Sequence, residues 1–328
     1  MCAYIIKRLL LIVPTIFIVS LIVFSIIRLI PGNIIDLMMT EGTGGAWGMV
    51  DRAAIEEAMG LDVPILTQYG RWVGVAPQAD GSFSGALQGD LGKSLWTRTP
   101  VTTEVADRWQ VTVELGLLAI IVAQLIALPV GIYSALRQDT WGDYIARSFA
   151  ILCIAIPGFW LATLVIVFPS IWWGYSPSLA LIPFTENPIG NLKIFILPAI
   201  VLGMTLCGGT MRMTRTMMLE VLRQDYIRTA WAKGLRERVV ILRHALKNAL
   251  IPVISIIGIQ VRIVIGGTVI IEEIFNLPGL GRLVVSATLE RDYTLLSGVM
   301  LLIAAAVVLI NLMVDLAYVY LDPRLQYK

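Results

Sequence analysis

The side chains that ordinarily carry out chemistry are few in this chain and poorly spaced for it. His244 is the only histidine, so neither a Ser-His-Asp triad nor a His-ligated metal centre is available. Cys2, Cys153 and Cys207 stand far apart. No pair has metal or redox spacing, so small buried side chains are the expected role. Glu272 and Glu273 are adjacent carboxylates, but they fall at the edge of an apolar run, where a solvated rim is the expected setting. No G-x-x-x-x-G-K-[ST] phosphate loop occurs, so any ATP that drives this protein is hydrolysed elsewhere. Neither a catalytic residue nor a metal ligand is expected.

The distinctive chemistry is instead a basic stretch, DYIRTAWAKGLRERVVILRHALKNALIP, from Asp225 to Pro252. Taken as helix from Tyr226, it places Ala230, Leu235, Val239, Leu242, Leu246 and Leu250 at three- to five-residue steps. Arg228, Arg236, Arg243 and Lys247 lie elsewhere around the barrel, roughly an amphipathic pattern. Gly234 interrupts it at about 1 kcal/mol relative to alanine. A glycine there permits a turn between two short helices or a close approach by another backbone. Such a segment can lie on anionic lipid, connect two spans through solvent, or dock a partner. Composition alone does not choose among these.

The elements that must hold this stretch are membrane spans. Hydrophobic residues make up 57% of the 328 and charged residues 15%, against about 25% charged in soluble domains. Leu9–Ile27, Leu115–Leu136, Ser148–Phe184, Ile194–Met211 and Tyr293–Val314 contain no Asp, Glu, Lys or Arg, and Ile251–Ile271 only Arg262. A spanning helix needs about 20 apolar residues. The fold expected is all-α and polytopic, with six transmembrane helices at about 9–30, 111–136, 144–168, 194–215, 249–272 and 294–320. The first run is longer than a signal-peptide core and lacks a small-residue cleavage site, so it reads as an uncleaved span. Pro169, Pro177 and Pro183, interleaved with Trp172, Trp173 and Tyr175, read as an interfacial segment.

Nine of the 25 Lys and Arg lie between Arg212 and Lys247. By the positive-inside rule that side is cytoplasmic, and both termini share it. Three regions follow: a first span over 1–30, an extracytoplasmic loop region over 31–108, and a core over 109–328 containing a cytoplasmic loop at 212–250. Within the long loop, Asp51 can cap a short helix through Met59, with Gly60 at its stop. Ala76–Gly85 is turn-rich and expected to be exposed.

Polar residues inside the spans stand out. Arg262 is about 16 Å along helix five, near the middle of the bilayer, where an unpaired charge costs several kcal/mol. It is expected to face a translocation path or a partner subunit, or to sit in a structural ion pair or carbonyl cluster. Asn311 and Asp315 share a face of helix six, either hydrating a path or fastening helices. Glu114 reads as the acid at the start of helix two.

The order RTAWAKGL, Arg228–Leu235, followed by HALKNALIP, His244–Pro252, resembles the coupling loop of binding-protein-dependent ABC importers, in the form of the dipeptide/oligopeptide/nickel permease family. The wider superfamily carries Glu-Ala-Ala-x-x-x-Gly; aligned on Gly234, the acidic position is Arg228, followed by Thr229 and Ala230. Arg-Thr-Ala-x-Ala-Lys-Gly is the form of the peptide/nickel branch, and Trp231 stands where that branch usually has Arg. Further similar segments are KRLLLIVPTIFIVSLIVFSIIRLIPGN with its Pro31-Gly32 exit, MGLDVPILTQYGRW, GDLGKSL at Gly89–Leu95, EEIFNLPGLGRLVVSATLERDY at Glu272–Tyr293, and DLAYVYLDPRL at Asp315–Leu325.

This resemblance implies a type I importer permease fold, the first of the two permease types in such systems, in a prokaryotic cytoplasmic (inner) membrane. Its partners are then a second related permease, two ABC ATPases holding ATP and magnesium, an extracytoplasmic binding protein, a peptide substrate and the bilayer, with no nucleic acid. The chain itself holds no cofactor. Arg228, Thr229, Ala230, Ala232, Lys233, Gly234 and Leu235 are implied to couple to the ATPase. Pro278, Gly279 and Gly281 are expected to shape a tight external turn that approaches the binding protein or closes the pathway. Arg262 departs from the family pattern, so the resemblance supplies no role for it. The same architecture can import nickel–chelate complexes or another small solute. A secondary transporter predicts repeat symmetry and pathway carboxylates, and neither is visible. An intramembrane enzyme lacks its nucleophile and base.

Overall fold

The computed structural model describes residues 2–29, 62–176 and 181–321. Pro31-Gly32, the expected Asp51–Met59 helix with Gly60, and the Asp322-Pro323-Arg324 ending lie outside the described residues. Apart from a single antiparallel bridge, Lys93–Pro100, the regular elements described are all helical. In order, the α-helices of eight or more residues are α1 (Cys2–Leu29), α2 (Ile65–Val73), α3 (Val101–Leu136), α4 (Trp141–Ala155), α5 (Gly158–Trp173), α6 (Pro188–Leu222) and α7 (Asp225–Ala232), then α8 (Leu246–Ile274), α9 (Leu280–Leu289) and α10 (Tyr293–Leu321); a short 3-10 turn, Ala86–Gln88, lies between α2 and α3. A helical turn at Glu237–Val239 and a π-helical stretch, Val240–Ala245, lead without a break into α8. Among the described residues, five helical stretches are long and apolar enough to cross a membrane, or six when α4 and α5 are counted as one bent span. The chain is a multi-pass membrane protein.

The third span differs from the single helix expected over 144–168. α4 and α5 meet at 97°, because Pro157 has no N–H to donate and holds Ile156 in extended backbone, φ −79°, ψ 122°. α5 then runs through Pro169 to Trp173, so Trp172 and Trp173 end a helix rather than follow one. The second span also differs: α3 starts at Val101, not near 111. The acid in its first turn is Glu104, which accepts from the Thr99 hydroxyl and from Arg108. Glu114 is therefore in the helix interior, and the N-terminal dipole position assigned to it belongs to Glu104.

Two compact units divide the chain. One comprises Gln110–Arg282 with Ile310–Lys328, the other Cys2–Trp109 with Leu283–Leu309. In the first, α6 forms the centre. Lipid tails are as apolar as leucine, so helices in a bilayer associate through close packing at small residues rather than by escaping water. Gly203 and Gly208 supply that closeness: a Cβ would stand 2.8 Å from the Ala119 carbonyl at the former and 2.6 Å from the Ala150 carbonyl at the latter. The packing forms successive layers. Leu115 and Ala119 of α3, Phe195 of α6 and Ile271 of α8 share one cluster; Ala123, Cys153, Cys207 and Val264 share the next.

In the second unit, one face of α1 packs on α2. Ser20 Oγ lies 2.8 Å from Tyr69 Oη, and the Phe24 ring meets those of Tyr69 and Trp72 at 5.4 and 5.7 Å. Leu10, Val13 and Phe17 are left exposed, as suits a lipid-facing surface. Ala79–Phe83 is an exposed turn stabilised by the Ser82 N–H and hydroxyl on Asp80. Asp292 is fully buried; its carboxylate accepts from Ser94 Oγ and the Leu95 N–H and caps α10 through the Leu295 N–H.

Candidate functional site

The basic stretch folds as two pieces rather than one helix. α7 ends at Ala232, and Gly234 has φ +72°, a left-handed stop, with its N–H donating to the Trp231 carbonyl at 2.9 Å. Nothing lies within 4 Å of a Cβ built there, so backbone conformation, and not space, makes glycine the residue of choice. Thr229 Oγ1 donates back to the Asp225 carbonyl at 3.0 Å. Asn248 Nδ2 donates to the Tyr226 hydroxyl at 2.8 Å, fastening α7 to α8.

The seven residues expected at the coupling site divide by face. Ala230 is buried, whereas Arg228, Thr229, Ala232, Lys233, Gly234 and Leu235 are exposed. Ala230 and Ile227 insert into a cluster made by Ala135 of α3, Met218 of α6, and Val240, Ile241, Ala245 and Ala249. Arg228 is largely in solvent, 3.6 Å from a still more exposed Asp225, a pair worth little to stability. The expected 212–250 loop also starts later, since α6 continues to Leu222.

The apolar stripe expected across the stretch is corrected. Leu235, Val239 and Leu242 are exposed, while Ile227, Val240, Ile241 and Ala245 are buried. The break at Gly234 resets the helical phase, and the π turn adds a residue to its turn, so one 3.6-residue period cannot run from Tyr226 to Pro252.

At the opposite end of α8, Glu272 is another correction. It is not a solvated rim residue but fully buried, whereas Glu273 is exposed. Glu272 Oε1 accepts from Thr112 Oγ1 at 2.7 Å and Oε2 from the Arg282 N–H at 3.1 Å, while Thr112 Oγ1 accepts from the Leu280 N–H at 2.8 Å. A Cβ on Gly279 would overlap the Glu272 carboxylate, and one on Gly281 would lie 2.9 Å from Oε2 and 2.5 Å from Val269 Cα. The two glycines thus make room for a carboxylate that gathers α3, α8 and the start of α9. Phe275 and Leu277 of the same turn are buried in the core cluster with Leu115 and Phe195.

Between these ends, Gln260 of α8 donates to the Leu206 carbonyl and to Thr210 Oγ1 of α6, both at 2.8 Å, and accepts from Gln124 of α3 at 2.9 Å. Such interhelical amide bonds each contribute a modest stabilisation in a bilayer, about 0.6–2 kcal/mol, and fix which faces of the helices meet. Arg262 is half-buried, with an Nε that is buried and has no hydrogen-bond partner, beside exposed Ile259 and Ile263. Asn311 is half-buried, with Oδ1 likewise unpartnered. Among the described residues no hydrogen bond joins Arg262 to Asn311. Gln124, Gln260, Thr112 and Ile227 were not anticipated; glutamines inside otherwise strongly apolar runs were the signal available for the first two.

The described chain is thus a polytopic helical bundle with a short helix, α7, seated against the ends of α3, α6 and α8. Residues 127–327 match the model of the family described as binding-protein-dependent transport system inner membrane component, and residues 1–116 match that of its N-terminal region. The chain belongs to this family. A Brucella abortus (strain 2308) protein provisionally named a peptide transport system permease protein is 38% identical over 327 residues, covering 100% of both chains. The Dipeptide transport system permease proteins of Alkalihalophilus pseudofirmus and Escherichia coli (strain K12) are 37% and 36% identical, again over 100% of both chains.

Proposed function

We propose that the chain is the first of two related permease subunits in an ATP-driven importer that takes peptides from an extracytoplasmic binding protein. Full-length similarity to proteins named for peptide and dipeptide transport supports the cargo. The observation that carries the mechanism is the two-faced α7: Ile227 and Ala230 are buried against α3, α6 and α8, while Arg228, Thr229 and Lys233 face outward. That exposed face fits the groove of a separate ATPase, which holds ATP and magnesium; this chain has no phosphate loop and no hydrolytic role of its own. The concentration of Lys and Arg between Arg212 and Lys247 supports a cytoplasmic location for this face and for both termini.

Displacement of α7 on nucleotide binding passes into α8, a 29-residue helix with Pro252 in its first turns. At 1.5 Å per residue it is about 44 Å long, enough to carry motion from the cytoplasmic seat to Glu272 outside. Pro278, Gly279 and Gly281 then belong to an outer closure that moves with α3 and α8. Arg262 and Asn311 line the solute path.

Single cysteines introduced at Thr229 and Ala249 test the docking directly. Thr229→Cys is expected to crosslink to the ATPase in the assembled complex and Ala249→Cys, which replaces a buried side chain, is not; equal yields at both positions would exclude α7 as the contact. For the path, Arg262→Ala should change peptide uptake or complex assembly several-fold. Ile263→Ala, on the exposed face beside it, should stay within about twofold, in line with surface substitutions. Matching uptake and assembly in the two variants would remove Arg262 from the mechanism.

A further inference from the structure

Three helices end together near α7, and one carboxylate joins them. Asp143, in the first turn of α4, is fully buried. Its Oδ1 accepts from Arg215 Nε at 2.8 Å and from Ser134 Oγ at 2.5 Å, and its Oδ2 from Arg215 Nη2 at 2.8 Å and the Asp139 N–H at 3.0 Å. Arg147, one turn along α4, lies 3.5 Å from Oδ2 and stacks on the Tyr144 ring at 4.5 Å. α3 through Ser134, the α3–α4 turn through Asp139, α4 itself and α6 through Arg215 therefore converge on a single group. With both oxygens doubly engaged, the carboxylate has no capacity left for a solute. A two-pronged guanidinium–carboxylate pair fixes relative orientation as well as distance, since rotating either partner breaks one of two parallel bonds.

The position of this pair in the chain gives it a mechanical role. Arg215 lies about 10 Å along α6 before its end at Leu222, and only two residues separate α6 from α7. Beside Arg215 a Cβ on Gly131 would stand 2.8 Å from Thr214 Cβ and 2.9 Å from the Met211 carbonyl, so α3 and α6 are in backbone contact there. Ala135 and Met218, the next residues of those two helices toward α7, form part of the seat of Ile227 and Ala230. A buried ion pair is seldom a better stabiliser than apolar packing of the same volume, so its value here lies in the geometry it sets.

We infer that Asp143 and Arg215 are positioning residues of the transport cycle: they lock the ends of α3, α4 and α6 into one body, so that displacement of α7 moves those helices together instead of being lost in bending of α6. This rests on Asp225–Leu235 being the ATPase-docking segment.

The test uses the full complex of two permeases, ATPases and binding protein in proteoliposomes, with peptide uptake and ATP hydrolysis measured together. Asp143→Asn keeps the shape and removes the charge. It should raise the ATP consumed per peptide at least tenfold, with little change in the peptide concentration that half-saturates uptake. Arg215→Lys keeps the charge and loses the fork, and should raise the ratio several-fold. The native thiols give a second readout in a Cys2→Ser background, because Cys153 and Cys207 are buried in one cluster where α4 meets α6. A membrane-permeant maleimide should label them faster during ATP turnover in Asp143→Asn than in the unaltered chain. Unchanged ratio and labelling in variants that assemble overturns the inference. Failure of both variants to assemble assigns the pair to folding alone and overturns it equally. Gly234→Val is the control: if it too imports at the normal ratio, the docking premise has failed, whereas if it uncouples and Asp143→Asn does not, only the joint is rejected.

Discussion

Gly234→Val should lower peptide uptake at least tenfold while the chain remains in the membrane and its partner ATPases continue to hydrolyse ATP. The cause is backbone strain. At φ +72° a residue with a Cβ is held in the left-handed region at roughly 1–3 kcal/mol, most for a β-branched side chain. Relieving that strain extends or tilts the end of α7 and shifts Lys233 and Leu235, which flank the glycine on the exposed face. Since the space around a Gly234 Cβ is empty within this chain, backbone strain and not a clash with its own side chains is the expected cause. Substitutions should therefore rank by tolerance of the left-handed region, Asn mildest, Ala intermediate, Val most severe. Uptake and ATPase activity measured on the same proteoliposomes check this. A ranking by volume, or normal uptake by the Val variant, would count against the left-handed stop as the coupling feature.

Glu272→Ala should be the most destabilising single change at the opposite end of α8, by about 2–4 kcal/mol. It leaves the Thr112 hydroxyl and the Arg282 N–H without their acceptor in a fully buried place and opens a cavity between Gly279 and Gly281. Gly279→Ala should cost about 1–3 kcal/mol by driving a methyl into the carboxylate. The two sites are coupled, so the pair Gly279→Ala with Glu272→Asp, which withdraws the carboxylate by one methylene, should recover part of that loss. Thermal unfolding of the purified complex gives all four values. Strict additivity of the two substitutions would show that the glycine serves the backbone and not the carboxylate.

Periodicity and charge placement were enough to find the spans and the basic stretch, because a bilayer demands long uncharged runs and leaves little freedom in where cations sit. Boundaries were harder. α3 begins at Val101 because Glu104 and its hydroxyl partners continue the helix beyond the apolar run, which hydropathy does not register. Pro157 was visible in the sequence, but whether it kinks a helix or turns the chain by 97° depends on what receives α5 afterwards. The stripe over Tyr226–Pro252 failed because a π turn has no compositional signature.

From the sequence alone came the class of the protein: a polytopic helical bundle carrying a basic stretch interrupted by a glycine stop. Those features follow from local constraints, the length of apolar runs, the side on which cations collect and the conformational freedom of one glycine. Only the tertiary structure decided which polar residues are structural. Glu272 meets Thr112, Gln260 meets Gln124, and Asp143 meets Arg215, across separations in sequence that no local pattern spans. A buried charge or amide is defined by its partner, and the partner is supplied by how the helices pack.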